Sequence, residues 1–262
     1  MDRYALFGHP VQHSRSPEIH RAFAEQTGEA LHYELMDVPG DFEGAALAYF
    51  AAGGLGGNVT LPHKEAAFRF CDQVTGRAQR AGAVNTLVYE GDGVLGDNTD
   101  GAGLVRDLTH NIGIQLAGRS IVLLGASGAA RGALGPLLAE GPAELFIANR
   151  TIEKAVALAT ECQDQRVRGG GYDDLPDSAD IIVNATSASL QSELPPVPER
   201  FFENVTVAYD MAYADSPTVF LAYANAAGAG ICRDGWGMLV EQAAEAFELW
   251  RGVRPETTAL LK

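Results

Sequence analysis

One stretch, Ile121 to Gly132 (IVLLGASGAARG), constrains this chain most. Ile121 to Leu124 is a continuous apolar run, the pattern of a central parallel strand covered on both faces. Gly125, Ala126, Ser127, Gly128 and Ala129 then turn the chain and open a helix, with small residues that let it pack close to the strand. Backbone N–H groups at such a helix start can meet a pyrophosphate, so the turn reads as dinucleotide-binding. Ser127 stands where a second glycine is usual and weakens the motif. The plainer reading is a tight strand–helix turn without a ligand.

The continuation favours the ligand. Glu144 to Ala148 reads as a second strand and ends in Asn149, Arg150 and Thr151, with Lys154 one helical turn later. An NAD site places a carboxylate near this point for the ribose 2′-hydroxyl. Here Arg150 takes its place, and a guanidinium can grip a 2′-phosphate through two donors, which favours NADP over NAD. A solvated, charged helix start is the plainer alternative.

The chain has 262 residues, a hydrophobic share of 47% and a net charge of −15. It is long enough for one large or two modest domains with real cores. So acidic a surface repels nucleic acid and anionic membranes. No apolar run approaches membrane length, and the N-terminus shows no apolar leader pattern. Cys71, Cys162 and Cys232 are scattered and lack metal-ligand spacing, which fits a reducing cytoplasm and argues against a bound metal.

Strands and helices alternate, so the fold class is α/β. An α/β domain spans 1–100, with a mostly parallel sheet. A Rossmann-type nucleotide domain spans 101–236, with strands at 120–124, 144–148, 166–169, 180–184 and 205–210. A C-terminal helical segment, 237–262, returns to pack on the first domain. Ser16 and Pro17 read as the cap and first residue of a helix whose N-terminus can also hold a carboxylate. Pro62 marks another helix start and puts Lys64 in its first turn. A cation there opposes the helix dipole and gains nothing for stability, which points to chemistry. Lys64 is one of three lysines, and an ordinary surface lysine is the plainer reading. Asp100 opens a helix, where a capping role is equally natural. Gln242 lies beside the apolar stripe of the last helix and needs a partner, internal or bound. The segments after Asn184 and Tyr209 lie at the carboxyl edge of the second sheet, where ligands of open sheets bind.

Taken in order, the segments GHPVQHSRSPEIH, NVTLPHKE, AGAVNTL, GDNTDG, LLGASGAARG, ANRT, NATSASL, YDMAY and DGWGMLVEQAA resemble the shikimate dehydrogenase family. The resemblance runs over nearly the whole chain. It implies a two-domain, cytoplasmic enzyme, monomer or homodimer, that uses NADPH to reduce 3-dehydroshikimate to shikimate in aromatic amino-acid biosynthesis. By that similarity Ser14 and Ser16 hold the substrate carboxylate. Asn58, Thr60, Asn85 and Gln242 bind ring hydroxyls and nearby groups, Tyr213 also reaches the substrate, and Lys64 and Asp100 form the catalytic pair. Gly125 to Ala129, and Asn149, Arg150, Thr151 and Lys154, hold the cofactor's phosphates and adenosine. Thr186, in the NATSASL segment, is a further cofactor contact, and Met211, Gly235 and Met238 lie near the nicotinamide. Ser127, Lys154 and Ser189 depart from the family pattern of glycine, arginine and glycine. Two rivals remain: a quinate/shikimate dehydrogenase using both NAD and NADP, and a non-catalytic NADP-binding sensor.

Overall fold

A computed structural model describes residues 1–261. The chain packs as two units, Met1–Gly103 together with the chain from Leu239, and Leu104–Met238.

The first unit runs β1 (Asp2–Gly8), α1 (Ser16–Thr27), β2 (Leu31–Asp37), α2 (Phe42–Ala51), β3 (Gly54–Val59), α3 (Lys64–Phe70), β4 (Gln73–Val74), α4 (Gly76–Ala81), β5 (Thr86–Tyr89) and β6 (Val94–Asp97). Helix α5 (Asp100–Arg106) begins in it. The sheet order is β2-β1-β3-β5-β6-β4. The pairs β1–β2, β1–β3 and β4–β6 are parallel, as expected, but β3–β5 and β5–β6 are antiparallel. The reason for the second is local. Tyr89 and Val94 are joined by a short turn, closed by Glu90 N–H on the Gly93 carbonyl at 3.1 Å, and so short a link cannot make a parallel crossover. Phe7, Phe42, Tyr49, Val59 and Leu87 form the core of this unit.

The second unit carries one π-helical turn (Asp107–Asn111), then β7 (Ser120–Leu124), α6 (Gly128–Ala139), β8 (Glu144–Ala148), α7 (Ile152–Glu161), β9 (Val167–Gly170), β10 (Ile181–Asn184), β11 (Val207–Asp210), α8 (Val219–Ala226) and β12 (Ile231–Arg233). Helix α9 (Trp236–Arg251) begins here and continues into the first unit. The sheet, β12-β11-β10-β7-β8-β9, is parallel throughout. Side chains alternate across it. Ile121 and Leu123 enter one core with Leu134, Leu137 and Val183; Val122 and Leu124 enter the other with Phe146, Ile182 and Phe202. Burial on both faces explains the unbroken apolar run. The chain leaves β7 for β8 on one side and returns to β10 on the other, which sets a topological switch point at the carboxyl ends of β7 and β10.

Candidate functional site

Two sequence expectations about helix starts need correction. Ser16 does not cap α1. Arg15 occupies the cap position without a side-chain bond, and Ser16 is the first helical residue. Its hydroxyl is engaged elsewhere: Ser14 Oγ donates to it at 3.1 Å. Pro62 is not the first residue of α3 either. The chain first makes a turn, His63 N–H to the Thr60 carbonyl at 3.0 Å, and the helix begins at Lys64. Lys64 therefore keeps its place in the first turn.

The first unit gathers Lys64, Asp100, Asn85 and Gln242. Lys64 Nζ donates to Asp100 Oδ2 at 2.5 Å, with the lysine side chain 28% and the aspartate 13% exposed. Asn85 Nδ2 donates to Asp100 Oδ1 at 2.8 Å and lies 3.2 Å from Gln242 Oε1. The Gln242 amide nitrogen is held by the Leu239 carbonyl at 2.9 Å, so its oxygen points at Asn85 and Thr99. Asn58 is buried nearby and bonded to the Asn85 carbonyl and Thr86 Oγ1, both at 3.2 Å. Thr60 is half-buried at the end of β3, its N–H on the Phe7 carbonyl at 2.8 Å. Ser14 and Ser16 stand at the start of α1.

Asp100 is placed by the residues before it. Asp97, 1% exposed, accepts from Arg77 through Nε at 2.8 Å and Nη2 at 2.6 Å, from Thr75 Oγ1 at 2.5 Å and from the Asn98 N–H at 2.7 Å. Burial pushes the Asp97 carboxyl up, but the Arg77 guanidinium and the two other donors outweigh it and hold it below its ordinary value. Asn98 donates to the Ala83 carbonyl at 3.0 Å and accepts from the Asp100 N–H at 3.2 Å. Asp97, Asn98 and Asp100 of the GDNTDG segment are thus each held by protein partners.

The second unit gathers the remaining candidates at the carboxyl edge of its sheet. Gly125, at φ +103°, turns the chain after β7, with the Ala185 carbonyl 3.2 Å from where a Cβ would sit. Ser127 holds the cap position of α6 but does not cap it; its hydroxyl donates to the Ala185 carbonyl at 3.2 Å. The first N–H groups of α6 therefore have no side-chain partner, and Gly128 opens onto free space. Ala126 and Ala129 flank the turn, half-buried. At the end of β8, Asn149 Nδ2 holds the Thr151 carbonyl at 2.9 Å. Arg150 and Lys154 are exposed, and neither forms an ion pair among the described residues. An uncapped helix start beside two unpaired cations, in a chain of net charge −15, suits a ligand carrying several phosphates. These residues fit NADP.

Thr186 is tied into the sheet edge, its hydroxyl donating to Asn184 Oδ1 at 2.7 Å. The departure at Ser189 has a structural role: its hydroxyl donates to Asp210 Oδ2 at 2.5 Å. Asp210, fully buried, also accepts from Thr218 Oγ1 at 2.6 Å, the Ala212 N–H at 3.1 Å and Asn184 Nδ2 at 3.2 Å. Burial still raises its carboxyl above the ordinary value. Gly235 lies against Met211, whose carbonyl oxygen is 2.2 Å from an added Cβ, so only glycine fits. Met238 is 8% exposed, and its N–H reaches Tyr209 Oη at 3.3 Å. Tyr213 belongs to this second unit and packs edge-on against Trp236, 6.0 Å between ring centres.

Sequence reasoning passed over Tyr33, His20, Thr86, Thr99 and Asp210. The signal for His20 was available, since it lies on the face of α1 that also presents Ile19 and Phe23. A polar ring on an apolar face needs a partner as much as Gln242 did.

Three family profiles match the chain: "Shikimate dehydrogenase substrate binding domain" over residues 6–87, "Shikimate / quinate 5-dehydrogenase" over 107–193, and "Shikimate 5'-dehydrogenase C-terminal domain" over 235–262. A relative from Alkalilimnicola ehrlichii named shikimate dehydrogenase (NADP(+)) is 53% identical, covering 99% of this chain and 97% of its own. The crystal structure of the Ael1 enzyme from Pseudomonas putida superposes with a TM-score of 0.95 at 47% identity, over 99% of this chain and 96% of the other. Shikimate 5-dehydrogenase from Thermus thermophilus, solved with NADP(H) and shikimate, gives 0.89 at 36% identity, over 99% and 97%.

Proposed function

From the premise that this chain belongs to the shikimate dehydrogenase family, we propose that Lys64 and Asp100 carry its catalysis, with the other clustered side chains as binding groups. The enzyme reduces 3-dehydroshikimate to shikimate, reversibly and with NADPH, in the shikimate pathway. The observation that carries the site assignment is the Lys64–Asp100 pair at 2.5 Å, with Asp100 held on its other oxygen by Asn85.

Bound NADPH supplies the hydride that reaches the ketone carbon. As charge develops on the ketone oxygen, the Lys64 ammonium stabilises it and delivers a proton. Asp100 keeps that amine in place and offers acceptor capacity to a neighbouring substrate hydroxyl. Asn85 and Gln242 bring further donors and acceptors to the same spot. The Ser14 and Ser16 hydroxyls, at the start of α1, suit the substrate carboxylate. In the second unit, the N–H groups at the start of α6 would take the pyrophosphate, and Arg150 with Lys154 the 2′-phosphate. Thr186 is assigned to the cofactor, Met211, Gly235 and Met238 to its nicotinamide, and Tyr213 to the substrate. A cytoplasmic location is part of the proposal, supported by the three cysteines, which are all free thiols.

The deciding assay follows NADP reduction with shikimate, then repeats it with quinate and with NAD. Turnover with shikimate and NADP at least tenfold above the other combinations is expected. Equal rates with NAD or with quinate would give the reading to a mixed quinate/shikimate enzyme. Tight NADPH binding without turnover would make the chain a sensor.

A further inference from the structure

We propose that Tyr33 and His20 are positioning residues for this reaction: both donate to the Asn58 oxygen and so brace the buried Asn58–Thr86–Asn85 hydrogen-bond network that holds Asp100. The proposal rests on the functional reading above.

One group in this network has no choice of role. The Asn85 main-chain carbonyl can only accept, so the end of Asn58 that lies 3.2 Å from it is the amide nitrogen. The Asn58 oxygen then faces Tyr33 Oη at 2.8 Å and His20 Nε2 at 3.2 Å, and both must donate. That makes His20 the Nε2–H tautomer. Its Nδ1 is left as a bare lone pair, and Nδ1 is indeed buried with no hydrogen-bond partner.

The polarity propagates. The second amide hydrogen of Asn58 goes to Thr86 Oγ1 at 3.2 Å. That hydroxyl donates in turn to Asn85 Oδ1 at 2.9 Å, where the Thr99 N–H also arrives, at 2.8 Å. With its oxygen taken, the Asn85 carboxamide presents its nitrogen to Asp100 Oδ1. Towards the other end, the Tyr33 phenol donates to Asn58, and at the start of α1 the Ser14 hydroxyl donates to Ser16 at 3.1 Å. One chain of hydrogen bonds therefore connects Tyr33 and His20 with the lysine–aspartate pair.

The surroundings keep this donor constant. His20 stacks on Tyr33 at 4.3 Å and 12°, with Phe247 and Trp250 on its flanks. Complete burial in that box pushes its pKa down to about 3, so the ring stays neutral at working pH. Neither residue needs to touch substrate, since His20 is fully buried and Tyr33 nearly so.

Tyr33→Phe removes one donor and keeps the ring. It should lower kcat/KM for shikimate about tenfold, the scale of one lost buried hydrogen bond, while KM for NADP stays within about twofold. His20→Gln, which can place an N–H near the Nε2 position, should keep most activity, and His20→Leu should lose as much as Tyr33→Phe. In ¹⁵N NMR of the free wild-type protein, the His20 ring should remain neutral and protonated on Nε2 from about pH 5 to 8. A proton on Nδ1, titration near the ordinary histidine value, equal Gln and Leu variants, or wild-type kcat/KM in Tyr33→Phe each overturn the proposal. Absence of shikimate turnover in the wild type overturns the functional reading instead, and the NMR result still judges the hydrogen-bond chain.

Discussion

In the first unit, Asn58, Asn85, Thr86 and Thr99 are each at most 5% exposed and bonded to one another. In the second, Arg150 and Lys154 stand in solvent, and the start of α6 offers main-chain N–H groups that no side chain caps. In the proposed site the first arrangement would recognise a small molecule hydroxyl by hydroxyl, because a missing partner leaves a buried group unpaired. The second would recognise phosphate by charge and backbone, and so tolerate changes of side chain. Damage to the first should therefore appear in turnover, and damage to the second in cofactor affinity.

The largest effect should come from Lys64→Ala, with kcat down by roughly 10²–10⁴ in a folded protein and KM for NADP little changed. Near-wild-type turnover would remove Lys64 from the chemistry. Asp100→Asn sets an amide nitrogen against donors from Lys64 or Asn85, and kcat should fall on the order of 10². Arg150→Ala should raise KM for NADP about tenfold with kcat nearly unchanged, and cut the preference for NADP over NAD by the same factor. A loss of kcat instead would blur the contrast between the units.

A pH experiment sharpens the comparison from the stability side. Folded His20 stays neutral down to about 3, whereas the unfolded residue takes up a proton below its ordinary value of 6.5. Unfolding then binds one proton in that window, so stability is lost as pH falls from 6.5 towards 3, by about 1.4 kcal/mol per pH unit from this group. Denaturant titrations of wild type and His20→Gln should show a shallower slope in the variant. The smallest effect should be Ser127→Gly, about twofold or less in KM for NADP, because the hydroxyl is turned onto the Ala185 carbonyl and away from the open helix start.

Much of the second sheet was legible because burial on both faces writes itself as unbroken apolar runs. Strands β7 and β8 fall on the expected residues, 120–124 and 144–148. The two-residue β4, three-residue β12 and the six-residue α4 were missed, since so few residues carry no periodicity. The antiparallel β3–β5 pairing was hidden for another reason: apolar pattern carries no strand direction. In the site, residues whose chemistry is conspicuous, Lys64, Asp100 and Arg150, could be picked from the chain. Tyr33 could not, because an aromatic residue in a strand looks like core, and His20, a polar ring on an apolar helix face, was legible only as a group in need of some partner. Only the distances to Asn58 give them a task.

The scarcity of lysine around the half-exposed Lys64 has a practical consequence. An acylating reagent meets only three side-chain amines in this protein, so peptide mapping after brief labelling can follow the one at residue 64 against two internal references. Protection of that amine by added shikimate would report occupancy directly, in a measurement that needs neither turnover nor nucleotide.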